Sequence, residues 1–240
     1  MWNKTDRTAR SRATTLLLSR VWPLTVVLAG GLLGGCASGE GPESAGTMSD
    51  TADAAHPFAG IPQQDNVLGD AAAPLTLTEF SDLRCSHCRH FANDTLPVLV
   101  DRYVRAGKLR IVFGNLPILG PASIQAARMA AAVGLQGHEF EFIDAFFSGA
   151  AGALVGDDLL KRIAGDVPGV DVEAALAQRD SDAVTTQLAD AHKLAVEYKI
   201  PGTPSFLLGK TGAEPELLHN VRATKPETLT TQIDALLATL

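Results

Sequence analysis

Cysteine is scarce in this 240-residue chain, with three in all, and tryptophan (two), tyrosine (two) and methionine (three) are hardly commoner. Three cysteines cannot staple a small disulfide scaffold, so each needs its own explanation. Basic residues are also in deficit, 20 Lys and Arg against 27 Asp and Glu, for a formal charge of −7. That balance argues against a nucleic-acid partner, whose binding depends on neutralising phosphates, and against electrostatic attachment to anionic lipid. No apolar run approaches the ~20 residues a transmembrane helix requires, and no internal repeat is visible. The 46% hydrophobic content is ample for the core of one large domain or two small ones.

The first cysteine belongs to a leader. Lys4, Arg7, Arg10, Arg12 and Arg20 form a positive n-region, and residues 24–33 make an apolar stretch of signal-peptide length. Leu33-Gly34-Gly35-Cys36 resembles a bacterial lipobox, in which the signal is cut before a cysteine that then carries lipid. Residues 1–35 are thus read as a signal peptide and Cys36 as a lipidation site; a plain signal peptide or an uncleaved anchor are the alternatives. Cleavage there would leave 15 Lys and Arg against 26 Asp and Glu, a charge of −11, and would remove both tryptophans, Trp2 and Trp22. Residues 36–62 are rich in Gly, Ser, Ala, Thr and acid, and are expected to be a flexible tether.

Beyond the tether, residues 75–80 alternate apolar and polar side chains and predict a strand. Residues 85–106 predict a helix kinked at Pro97 and stopped by Gly107, and residues 108–113 a second strand. From Pro121 to about Tyr198 the chain is alanine-rich and helical, with Asp157, Asp158 and Asp171 as start signals and Gly149, Gly156 and Gly165 as punctuation. Residues 205–208, 216–221 and 226–240 then read as strand, strand and helix. The order predicts an α/β layer fold: a mixed sheet interrupted by a helical insert at about 119–198, sitting on one side of it. Phe140, Ile143, Phe146 and Phe147 are expected to be core.

Cys85-Ser86-His87-Cys88 lies where the first strand gives way to the helix. Two cysteines at this spacing reach disulfide geometry when the residues between them form a helical turn. A helix start, with unpaired N–H groups and the positive end of the dipole, favours a thiolate, and such positions lower cysteine pKa values. His87, able to be cationic and to donate to a sulfur, and the charges of Arg84 and Arg89 act in the same direction. A stabilised thiolate makes the disulfide a better oxidant, which favours a disulfide donor. Cys85, the more exposed, is expected to form the mixed disulfide and Cys88, one turn in, to resolve it. Such exchange needs no metal or organic cofactor. Zinc held with distant histidines, a Cu(I) carrier and a purely structural bridge stand as alternatives.

Residues 67–99 (VLGDAAAPLTLTEFSDLRCSHCRHFANDTLPVL), 108–118 (KLRIVFGNLPI) and 200–209 (IPGTPSFLLG), with the alanine-rich insert, resemble the DsbA-like thioredoxin family, in its lipoprotein and membrane-anchored bacterial branch. The resemblance covers most of residues 65–240. It implies a thioredoxin fold with an inserted helical subdomain in residues 63–240, and a thiol-disulfide oxidoreductase working on cysteine pairs of exported proteins. It also implies a cis Pro204 after Thr203, beside the cysteine pair, with the preceding backbone free to bond an extended substrate. Glu79 matches a buried acidic residue thought to relay a proton for Cys88. Ser86 departs from the proline of CPHC, which leaves the redox potential open. A membrane redox partner, protein substrates, a lipid anchor and an extracytoplasmic location follow as expectations. A reductase or isomerase in cytochrome or metal-centre assembly and a Cu(I)-binding lipoprotein are the competing functions.

Overall fold

The computed structural model describes residues 56–150 and 152–240. The leader, Cys36 and most of the expected tether lie outside the described residues.

Six strands form one mixed sheet in the order β1-β2-β4-β3-β5-β6. Its centre is β3 (Leu75–Ser81), parallel to β4 (Leu109–Asn115) and antiparallel to β5 (Ser205–Lys210). Two-residue strands finish the edges: β1 (Gln63–Gln64) and β2 (Val67–Leu68) beyond β4, and β6 (Glu216–Leu217) beyond β5. The parallel β3–β4 pair needs a crossover, which the helical run from Ser86 to Val104 supplies. That run is α1 (Ser86–His90), a π segment (Phe91–Thr95), α2 (Leu96–Leu99) and a second π segment (Val100–Val104). Pro97 has no N–H to give to the preceding turn, and the chain widens to π register around it. Gly107, at φ +65°, ends the run with its N–H on the Val104 carbonyl.

The insert comprises α3 (Pro121–Gly134), α4 (Glu139–Gly149), α5 (Asp157–Gly165), α6 (Val172–Gln178) and α7 (Asp182–Glu197). Asp171 caps α6 by accepting from the Ala174 N–H, and Ser181 caps α7. The expectation that the insert lies on one side of the sheet is corrected. On the face carrying Leu75, Leu77, Ile111 and Phe113, α4 brings Phe140, Ile143, Phe146 and Phe147 into the main core. On the other, α7 closes a second cluster with Ala195 and Leu194 over Phe80 and Leu207. The second face is apolar only around Phe80 and Leu207, and without α7 that patch would stand open to water. The final helix α8 (Glu227–Leu237) is tied to the crossover, where the Tyr103 hydroxyl and Arg102 both donate to Asp234, at 2.8 and 2.6 Å.

A second correction concerns the tether, whose last residues belong to the folded body. Phe58 is buried against the Phe140 ring, and Arg105 donates to the Ala59 and Pro57 carbonyls. One aromatic with carbonyls available to a basic partner is enough to pin a segment whose composition otherwise resists burial. At the other end, the strand expected over 216–221 is only the two residues of β6, since after the bond from the Leu218 N–H to the Phe206 carbonyl the chain leaves the ladder.

Candidate active site

The site is assembled where β3 ends. The β3 register sends Leu75, Leu77, Glu79 and Ser81 to the main-core face, and three residues of loop, Asp82, Leu83 and Arg84, bring the chain to Cys85. Asp82 governs that loop. It is fully buried, and its carboxylate accepts the N–H of Arg84 at 2.8 Å and, across the site, those of Ile118 and Leu119 at 2.8 and 2.9 Å. These charge-assisted bonds join the cysteine loop to the loop after β4. Sequence reasoning missed Asp82; an aspartate two residues before Arg84 is a turn signal that the neighbouring cysteines overshadowed.

Cys85 is the N-cap of α1, in extended conformation, and is half-buried; Cys88 is wholly buried. Both are free thiols. Across from them the Thr203–Pro204 peptide is cis, and the Cys85 thiol donates to the Thr203 carbonyl at 3.4 Å. Phe91 and Phe206 pack their rings 4.7 Å apart and wall the pair off on the core side. Cys85, Cys88, Thr203, Pro204 and Glu79 are thus brought together. His87 is not part of the cluster: it is exposed and donates no hydrogen bond to either sulfur.

Glu79 lies beneath the pair, 2% exposed, with one carboxyl oxygen lacking any hydrogen-bond partner. Burial raises its pKa to about 8, and the nearby Ser81 hydroxyl, outside hydrogen-bond geometry, pulls only weakly the other way. Burial, and the charge of Glu79 when it ionises, push the Cys88 thiol far up. A neutral carboxyl beside a sulfur that strongly prefers its proton is an arrangement for handing a proton to Cys88. Among the described residues no group of three or more His, Cys, Asp or Glu is placed to hold a metal. The redox group is the cysteine pair itself.

Fold and site together define a thioredoxin-fold thiol-disulfide oxidoreductase of the DsbA-like kind. A family model described as thioredoxin matches residues 62–235, and the chain belongs to that family. Over 165 residues it is 28% identical to the probable disulfide bond formation protein D of Bacillus cereus, spanning 66% of this chain and 76% of the relative. A thioredoxin-like oxidoreductase from Silicibacter pomeroyi is 30% identical with a TM-score of 0.58, the match covering 70% of this chain and 90% of the other. A cysteine-to-alanine variant of α-DsbA1 from Wolbachia pipientis is 25% identical with a TM-score of 0.62, covering 73% and 91%.

Proposed function

We propose that the protein oxidises cysteine pairs of exported proteins through a Cys85–Cys88 disulfide. The observation that carries this is a half-buried sulfur at a helix start paired with a buried one above a protonated carboxyl. A substrate thiolate attacks Cys85 Sγ, the Cys85–Cys88 bond breaks, and Cys88 leaves as a thiolate that takes its proton from Glu79. The second substrate thiolate then attacks the substrate sulfur of the mixed disulfide, and Cys85 leaves. Two electrons pass from substrate to the cysteine pair, and the substrate thiols surrender two protons, one per bond exchanged. The cis Thr203–Pro204 segment, whose carbonyl already meets the Cys85 thiol, is where an extended substrate would lie. Restoring the disulfide requires an electron acceptor, for which a membrane redox partner is the proposal.

Residues 1–35 as a signal, Cys36 as a lipidated anchor, residues 36–55 as the tether and an extracytoplasmic location complete the reading. Their support is the basic n-region, the apolar stretch and Leu33-Gly34-Gly35-Cys36. Cys36→Ser is expected to abolish incorporation of labelled fatty acid and release the protein from membranes; labelling that persists would overturn the anchor. Equilibration with glutathione tests the direction. A potential well above the glutathione couple supports the oxidase, and a strongly reducing one transfers the site to the reductase reading.

A further inference from the structure

Beside Cys85 the surface opens into a groove of about 310 Å³ between the cysteine loop and the α4–α5 region of the insert. Cys85, Ser86, Arg84 and Arg89 line one side, with Phe146 and Val155 opposite. Leu154, 96% exposed, stands at its mouth. Among the described residues five arginines sit in ion pairs with aspartates: Arg102, Arg105, Arg128, Arg162 and Arg179. Among the described residues Arg84 and Arg89 have no carboxylate partner, although the chain as a whole carries an excess of acid. Arg84 does no more than donate to the Leu119 carbonyl at 3.4 Å. Arg110 and Arg222 likewise have no carboxylate partner among the described residues, but neither lines this groove; Arg84 and Arg89, on either side of the reactive sulfur, are available to an outside carboxylate.

We infer that Arg84 and Arg89 form a carboxylate-reading subsite, so that the preferred partner is an extended peptide segment with Asp or Glu close to its cysteine and an apolar residue for the Phe146–Val155 wall. This rests on the oxidoreductase reading and adds substrate selection to it. Exposed arginine–carboxylate pairs are individually weak, and two of them acting on encounter and docking give a preference of about fivefold at low salt, fading as salt screens it. An acidic protein otherwise repels acidic partners, so the preference is local and set against the global charge.

The test compares oxidation, by the full-length protein, of synthetic dithiol peptides of one length that carry acidic, neutral or basic residues beside the cysteines. The readout is the ratio of kcat/KM values within each variant, which cancels any change in the reactivity of Cys85 itself. Wild type is expected to favour the acidic peptide about fivefold over the neutral one. The pair Arg84→Gln and Arg89→Gln should erase the ratio, and the charge reversal to Glu at both positions should move the preference to the basic peptide. The same ranking in all three proteins overturns the subsite while leaving the oxidoreductase intact. Failure to oxidise any peptide overturns both.

Discussion

In the proposed exchange the proton donor is one buried side chain, Glu79. Because burial holds its pKa at about 8, the carboxyl is protonated at neutral pH and able to donate to the departing Cys88 sulfur. Glu79→Gln removes that proton, and the step that breaks the Cys85–Cys88 bond is expected to slow by on the order of 10²-fold. In rapid-mixing kinetics the wild-type rate should show an inflection near pH 8 that the variant lacks. Asp82 acts differently, through position. Asp82→Ala removes the acceptor of the Arg84, Ile118 and Leu119 N–H groups, with an expected stability loss of roughly 1–3 kcal/mol in urea unfolding. Cys85 and Cys88 were plain in the sequence because two cysteines at this spacing have few structural uses. Glu79 and Pro204 were legible only through family resemblance: Glu79 falls in phase with Leu75 and Leu77, but its carboxyl favours solvent until the sheet and helices that cover it are known. His87, expected to favour the thiolate by its charge or by a hydrogen bond, is exposed on α1 and makes no hydrogen bond to either sulfur.

At the scale of elements, β3 does most to place the site, pairing on both sides and ending just before the cysteine loop. Its contact with β4 is close at Gly114, where an added Cβ would lie 3.0 Å from the Phe80 ring and 3.1 Å from the Glu79 carbonyl. Gly114→Ala is therefore expected to destabilise the protein by roughly 1–3 kcal/mol, read from the urea midpoint, and to slow exchange by shifting Glu79. The central strands and most helices were legible from periodicity and caps. The crossover helix was legible as a kinked helix, but not as alternating α and π turns, because Pro97 announces a disturbance without stating its register. The edge strands β1 and β2 were illegible for a different reason: two residues carry no period.

At the scale of the molecule, two buried carboxyls have raised pKa values, one where the insert meets the sheet and one beneath the site. Glu139 accepts from Asn115 and Gln187, and burial raises its pKa to about 8, as it does for Glu79. Folded pKa values above the unfolded value near 4.5 mean that the native state binds more protons between them. Stability is then highest at and below pH 4.5 as far as these groups are concerned. It falls as pH rises toward 8, by up to about 1.4 kcal/mol per pH unit for each carboxyl. Thermal melts over that range should show the decline, and Glu139→Gln should remove its own share. The insert's two-sided placement also explains why the fold could not be finished from sequence alone. The apolar stripes of α4 and α7 were evident, but which face of the sheet each would meet depends on a path through five helices.

The claim on which the rest depends is that Cys85 forms the mixed disulfide with substrate and Cys88 is the buried sulfur released when it does. Intact-mass spectrometry of the full-length protein challenged with a reduced cysteine-containing protein tests it in one comparison. The variants are Cys88→Ala and Cys85→Ala, each also carrying Cys36→Ser and each first treated with a small-molecule disulfide. Cys88→Ala should accumulate a one-to-one disulfide adduct with the substrate protein through Cys85, and Cys85→Ala should yield none because its remaining sulfur is buried. Adduct formation through Cys88 in place of Cys85, or through neither, would contradict the assignment.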